Sequence, residues 1–329
     1  MDKLTLEMVR SFVGLELDDF DLERLRQKHG IASDSSVFYM SISRLCKEKV
    51  IKRVKRGVYK KITVVQPITV FGRERRAPIV FNPPKDRDSE DELAFFRDII
   101  FREGDLILLS GFKNKGKTAM CLNLVAENLN LKPVLMGNEY TTQTGEGYEP
   151  SPRLLNRLDN MDWVQWVDKS GGERFELLPV YEDYAEQIRP GRLNVIDWVN
   201  LTGEYYLISS VMEGIKRAIG RGIGVIVLQK NPGADYGRGG NLSKDFADVE
   251  LLLDPYGDDL DAVMLTVATV KESTRRVMGR KFAYHIQGGV KIVDFREVMK
   301  CPVCYGKGWK GNMPCPNCDK LGYVDKEVK

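Results

Sequence analysis

Residues 106–118 read LILLSGFKNKGKT, an apolar run that breaks into a short loop with a glycine at each end. The loop Gly111-Phe112-Lys113-Asn114-Lys115-Gly116-Lys117-Thr118 fills the pattern G-x-x-x-x-G-K-[ST] in full. Each position has its own physical task. Gly111 and Gly116 permit the backbone conformations in which successive N–H groups turn inward and wrap a phosphate. Lys117 sets a point charge on the β- and γ-phosphates, and the Thr118 hydroxyl is placed to ligate Mg²⁺. The next stretch, TAMCLNLVAENL, has helical spacing, so a phosphate would also sit on a helix N-terminus. Gly111 to Ala119 is therefore the expected nucleotide-binding segment. Lys113 and Lys115, at the variable positions, read as solvated or interface charges.

A strand–loop–helix of this kind needs a sheet around it. From Asp91 to about Val298, apolar blocks alternate with helical patterns, as a parallel α/β sheet requires. The expected strands are 106–111, 133–139, 193–198, 224–230, 249–255, 263–270 and 282–287. Several are unbroken apolar runs, which suits strands buried on both faces. With 43% apolar and 29% charged residues the composition is that of a soluble globular protein. No apolar run approaches the roughly 18 residues of a membrane span, and residues 1–13 carry no signal-peptide core, so the expectation is a cytoplasmic protein without a membrane partner.

LNVIDW supplies an apolar strand ending in Asp197, the way a Walker B carboxylate reaches Mg²⁺. Glu139 ends PVLMGNE. The whole segment, from GDLILLSGFKNKGKTAMCLNLVAENL to VLMGNEYT, resembles the RecA-type P-loop ATPases, in particular their DnaB-like helicase, KaiC-like and RecA–RadA branches. The resemblance implies ATP and Mg²⁺ as ligands, with Lys117 and Asp197 in the catalytic set. It implies that Glu139 polarises the attacking water and that Gln229, at the end of GVIVLQK, senses the γ-phosphate. It places Arg238 and Lys244, in the glycine-rich NPGADYGRGGNLSK, as contacts to a DNA backbone. In VATVKESTRRVMGRK it gives Lys271 as the lysine of a K-x-R finger reaching a neighbouring subunit's γ-phosphate. The arginine position is Ser273, with Arg275 and Arg276 displaced by two and three. Such a finger implies a homo-oligomer, a ring or a filament.

Two smaller segments flank this core. Arg44 to Lys61 carries nine Lys/Arg against one acid, Glu48, while the net charge of the whole chain is only +3. A concentrated basic segment suits a polyanion surface. The order helix, turn, helix and basic hairpin turning at Gly57 resembles a winged helix. In that reading Val37, Met40, Ile42, Leu45 and Ile51 face a core. Ser35, Ser36, Tyr39 and Ser43 lie on the recognition helix, and Arg53, Lys55, Arg56 and Lys60 lie on the wing as DNA contacts. A structural or docking role is the alternative. Residues 66–90 read as a linker with solvated charges. At the other end Cys301, Cys304, Cys315 and Cys318 form C-x₂-C-x₁₀-C-x₂-C, two tight knuckles suited to a closed tetrahedral Zn²⁺ shell. The first half, C-x-x-C-x-G-x-G, resembles a DnaJ-type zinc knuckle. Its partner, DNA or protein, is open.

The expected fold class is α/β: a RecA-like P-loop core with a mostly parallel central sheet at 91–298. A winged-helix-like unit occupies 1–65, a linker 66–90 and a zinc knuckle 299–329. The expected function is an ATP-hydrolysing protein acting on single- or double-stranded DNA, helicase-like or recombinase-like. The alternatives are an ATP-switched loader or regulator with little turnover, and a KaiC-like signalling ATPase without nucleic acid.

Overall fold

The computed structural model describes residues 4–16, 19–63, 66–72, 75–145, 147–199, 205–231, 234 and 236–326. They form two compact units, 1–75 and 76–329.

The first unit holds helices α1 (Leu6–Gly14), α2 (Leu22–Lys28) and α3 (Ser36–Lys47) and strands β1 (Asp19–Asp21), β2 (Ile51–Lys55) and β3 (Val58–Lys61). Thr5, Asp21 and Ser35 each accept a hydrogen bond from a backbone N–H three residues on, so every helix starts on a side-chain cap. The strands form an antiparallel sheet in the order β1-β3-β2, and the β2–β3 turn passes through Gly57 at φ 80°. The core is Val9, Val13, Phe20, Leu25, Phe38, Ile42, Leu45 and Ile51. Met40, expected inside, is 63% exposed, and Phe38 takes its place. Positions 38, 42 and 45 recur at i, i+4 and i+7, and Met40 falls on the opposite face of α3.

The second unit runs through β4 (Leu106–Gly111), α4 (Lys117–Glu127), β5 (Val134–Met136), β6 (Thr141–Thr144), β7 (Gly147–Pro150) and α5 (Pro152–Asp159). There follow β8 (Glu176–Leu178), α6 (Tyr184–Gln187), β9 (Leu193–Ile196), α7 (Ile208–Ala218), β10 (Ile223–Gln229) and α8 (Asn241–Lys244). The chain closes with β11 (Val249–Pro255), β12 (Ala262–Val270), β13 (Lys281–Gln287), β14 (Lys291–Lys300), β15 (Trp309–Lys310), β16 (Met313–Pro314) and β17 (Tyr323–Asp325). Ten of these strands make one sheet, ordered β17-β14-β13-β12-β11-β4-β10-β9-β5-β8. The six from β11 to β8 are mutually parallel, and β12, β13, β14 and β17 extend the sheet as an antiparallel wing. The fold class is α/β, as the alternation of blocks predicts.

The unbroken apolar strands divide their residues between two cores. Ile107 and Leu109 face one side with Met120, Leu124 and Val125 of α4, while Leu106 and Leu108 face the other with Ile208, Met212 and Ile215 of α7. Alternate residues of one strand point to opposite faces, so a run apolar at every position demands cover on both.

Residues 76–90 belong to the second unit, and their charges are not all solvated. Asp86 is buried and accepts from the backbone N–H of Phe295 at 2.6 Å. The Arg87 guanidinium pairs with Glu127 and lies 4.3 Å from the Trp163 ring centroid.

Candidate functional site

The C-terminal ends of the parallel strands meet at one cavity. Gly111 and Gln229 are register partners at the ends of β4 and β10, and Met136 and Ile196 pair at the ends of β5 and β9. Glu139 and Asp197 lie just beyond those last two strands and face the same space. The cavity is about 510 Å³, and its lining includes Gly116, Lys117, Thr118, Glu139, Asp197 and Gln229. A crevice beyond the carboxyl ends of parallel strands is where α/β sheets place ligands.

The loop between β4 and α4 depends on its two glycines. A Cβ on Gly111 would stand 2.9 Å from Leu253 Cβ on the neighbouring strand, which cannot move without shifting β11. Gly116 has φ 72° and precedes the first residue of α4, so it turns the chain in a left-handed conformation. The first N–H groups of α4 are consequently left without helical partners at the cavity.

Lys117 donates its Nζ to the Phe112 carbonyl. Burial pulls its ammonium below the ordinary lysine range, against the charges of Asp197 and Glu139, which favour the protonated form. A bound polyphosphate would add further negative charge beside this buried cation. Asp197 is buried and accepts from the Tyr140 hydroxyl at 2.5 Å. Burial raises its carboxyl above the usual range, and the hydrogen bonds from Tyr140 and Thr118 only partly offset that. A hydroxyl and a carboxylate, hard oxygen donors already in contact, fit Mg²⁺.

Lys115 departs from expectation. Its side chain is buried, and Nζ donates to the carbonyls of Leu260 at 2.6 Å, Asp259 at 3.2 Å and Ala262 at 3.4 Å. It is neither solvated nor aimed at a phosphate; it ties the loop to the β11–β12 connection. Lys113, Asn114 and Ala119 line the cavity. Phe112 lies with its ring 5.6 Å from Lys230 Nζ, and Lys230 is itself buried against Asp254.

Among the cavity residues that were not anticipated are two arginines, Arg153 and Arg157, one turn apart on α5. Neither has an ion-pair partner among the described residues. The signal was present as S-P-R-x-x-x-R, a capped helix start with arginines at i and i+4.

The remaining expected residues lie elsewhere. Lys271 follows β12 at the opposite end of the sheet, where it pairs with Asp248 at 2.8 Å. Asp248 also binds Lys216 and accepts from the backbone N–H of Leu106, the first residue of β4. Arg238 Nε donates to Asn231 Oδ1 at 3.3 Å, and its backbone N–H donates to the Gln229 carbonyl at 2.7 Å. Lys244 is 3.7 Å from the buried carboxylate of Glu250, so its charge is already engaged. Pro232, Gly233 and Asp235 of that glycine-rich loop lie outside the described residues, as do Val64 and Val65 at the expected end of the first domain. In the first unit Arg53, Lys55, Arg56 and Lys60 are exposed on and beside the β2–β3 hairpin. Ser35 is occupied as the cap of α3, whereas Ser36, Tyr39 and Ser43, the other expected recognition residues, are exposed.

The four C-terminal cysteines converge. Their sulfurs all lie within 4.8 Å of one another, with Cys301–Cys315 at 3.8 Å and Cys304–Cys318 at 3.6 Å. Four sulfurs at about 2.3 Å from a tetrahedral Zn²⁺ would be about 3.8 Å apart. The backbone N–H groups of Gly308 and Gly322 each donate to a sulfur at 3.3 Å, of Cys304 and Cys318 respectively. At Cys301 burial pushes the thiol up, but the Asn317 amide and backbone N–H donors outweigh it and bring it to about 6, whereas at Cys318 burial and the neighbouring thiols outweigh the Gly322 donor and push it up to about 12. Donors aimed at sulfur favour the thiolate, the form that binds metal, and the residues fit zinc.

No protein-family model matches the chain, and no curated protein does. Among solved structures, the crystal structure of the RadB recombinase aligns with 59% of this chain and 92% of its own, at 15% identity and a TM-score of 0.40.

Proposed function

We propose that the chain is a RecA-type ATPase that binds and hydrolyses ATP, acts on DNA and works as an oligomer. The observation that carries this reading is the convergence of Lys117, Thr118, Glu139, Asp197 and Gln229 on one cavity from four different strand ends. Lys117 and the first N–H groups of α4 hold the β- and γ-phosphates. Thr118 and Asp197 hold Mg²⁺, which when bound neutralises charge on the transferring phosphoryl group. Glu139 positions and polarises the attacking water, and Gln229 reads the γ-phosphate. Arg153 and Arg157 add positive charge in cis. The zinc knuckle is structural, and the first unit serves as a winged-helix module whose exposed hairpin cations meet DNA phosphates.

A switch that turns over slowly is the second reading, favoured by one contact: Lys271 is held by Asp248 in the free chain. One assay separates the two. ATP turnover is measured with and without single- and double-stranded DNA, beside Lys117→Ala and Glu139→Gln. DNA-stimulated turnover lost in both variants supports the motor. Negligible turnover, with Glu139→Gln still assembling on DNA in ATP, supports the switch. A wild-type protein that neither binds DNA nor responds to it refutes both.

A further inference from the structure

The antiparallel wing carries a second concave surface, remote from the nucleotide cavity. It is a groove of about 990 Å³ whose walls include Arg275, Arg276, Arg280, Lys281, Lys300 and Lys326 against two carboxylates, Asp98 and Glu297. Both acids are already neutralised from within. Glu297 takes Arg280 and Lys326, each at 2.8 Å, and Asp98 takes Arg280 at 3.6 Å. Arg276 and Lys300 have no ion-pair partner among the described residues, and Arg275 is 83% exposed and 4.0 Å from Asp98. An adjoining groove shares Arg280, Glu297, Met299 and Lys326 and runs on to Pro302 and Asn317 of the cysteine knuckle. The stem of Lys300 also lies against Gly306, where a Cβ would be 3.5 Å from Lys300 Cδ. The row of cations therefore leads into the knuckle.

The knuckle presents side chains that a structural zinc site has no need to expose. Tyr305 is 78%, Met313 71% and Trp309 45% exposed. Trp309 stands on the β15–β16 hairpin, register-paired with Pro314. Tyr305 has φ 55°, an uncommon conformation for a bulky residue, and its N–H donates to the Cys301 carbonyl at 2.8 Å. Lysines are interleaved with these rings: Lys307 and Lys310 flank Trp309 in sequence, and Lys320 Nζ lies 5.6 Å from its ring centroid. The single acid among residues 300–320 is Asp319.

We propose that the wing and the knuckle form a track for single-stranded DNA. Arg275, Arg276 and Lys300 take the phosphates, and Tyr305 and Trp309 stack on unpaired bases. Aromatic faces set among cations match a strand whose bases are free, because every base has a π-face and every linkage a charge. A duplex keeps its bases stacked internally and offers these rings nothing. A protein partner fits worse, since lysine is depleted at protein interfaces and here lysines flank Trp309 in sequence and approach its ring. The choice of DNA rests on the proposed function; the surface itself does not.

The test uses the full chain loaded with zinc and without nucleotide. Fluorescence anisotropy follows a labelled oligothymidylate of about 20 nucleotides, longer than the roughly 4–16 that such sites cover. Trp309→Ala and Tyr305→Ala are each expected to weaken binding about ten-fold or more, while Trp309→Phe retains most of it. The pair Arg276→Ala and Lys300→Ala should lower the slope of log K against log salt by about 0.7 for each phosphate that is no longer neutralised. Zinc content and DNA-free ATP turnover of Trp309→Ala should equal wild type. Unchanged binding in both aromatic variants overturns the proposal. So does equal loss in Trp309→Phe, equal loss on the matching duplex, or tighter wild-type binding of oligouridylate. Trp309-dependent binding in a protein that neither binds nor hydrolyses ATP would sink the proposed function and leave the track standing.

Discussion

Replacing Tyr140 by phenylalanine removes one oxygen atom from a fully packed position and leaves the ring in place. That oxygen donates to Asp197 at 2.5 Å, and both residues are buried. A hydrogen bond to a buried charged group contributes about 1.5–3 kcal/mol. The sign of the pH dependence follows from the carboxyl itself. Burial raises Asp197 above its ordinary value, so keeping it ionised costs stability. That cost is absent below the unfolded value and grows as pH rises through the folded one. Tyr140→Phe raises the folded value further. Its deficit should therefore be largest at neutral pH and shrink on acidification, as both proteins come to carry a neutral acid. The four tryptophans, Trp163, Trp166, Trp198 and Trp309, all lie in the second unit, so their fluorescence reports that unit's transition alone. Urea unfolding at pH 7.5 and 5.5 gives the two deficits. At roughly 250 residues, each kcal/mol corresponds to about 2–4 °C in Tm, and the variant should melt some 3–12 °C lower at pH 7.5. A deficit under about 0.5 kcal/mol at pH 7.5, or one that grows on acidification, refutes the account of Asp197.

Lys115→Met keeps the buried stem and removes the ammonium that three carbonyls share; we expect nucleotide affinity to fall about ten-fold, read by titration of a fluorescent ATP analogue. Phe38→Ala empties the more deeply buried of the two phenylalanines in the core of the first unit and should cost about 3–5 kcal/mol, measured as loss of the far-ultraviolet signal of that unit on urea titration. Chelation of zinc should release the amides of Gly308 and Gly322 to fast hydrogen exchange, together with the three β14–β17 register pairs, while β4 and β11 stay protected.

The strands that position the site were legible because burial on both faces leaves a plain signature, as in LILLSG and VELLLDP. β14 was not legible. Its KIVDFREVMK carries Asp294, Arg296 and Glu297 on a wing strand whose partner β17 pairs only three residues, so neither alternation nor an apolar run marks it. β8 is three residues long, too short for any period. The two glycines of the β4–α4 loop were legible because their backbone task is local. The role of Lys115 was not, since its acceptors come from residues about 145 further on. Met40 is apolar yet off the buried face, because hydrophobicity alone does not fix the phase of α3, which Phe38, Ile42 and Leu45 set. Asp86 and Arg87 show the converse: charge predicts exposure until a partner such as the Phe295 amide or Glu127 is brought up by the fold.

The position of Lys271 decides whose phosphate it can serve. β12 runs antiparallel to β11, with Val270 opposite Val249, so Lys271 stands beside the start of β4 while the β4–α4 loop leaves its end. Six residues of strand separate the two, about 20 Å, further than a lysine side chain spans. On the proposed reading, any γ-phosphate that Lys271 reaches belongs to a second copy. Its own cavity must rely on Lys117, Arg153 and Arg157. Lys117→Ala and Lys271→Ala subunits should then each be inactive alone yet complement each other. In an equal mixture, about a quarter of the head-to-tail interfaces pair an intact loop with an intact Lys271. Turnover should recover to roughly that fraction of wild type, and only at concentrations where the chain assembles. If the mixture stays as inactive as its components while still assembling, Lys271 has no role across the interface, and the cis arginines must carry the charge. If Lys271→Ala alone turns over at the wild-type rate, its pairing with Asp248 is its whole function.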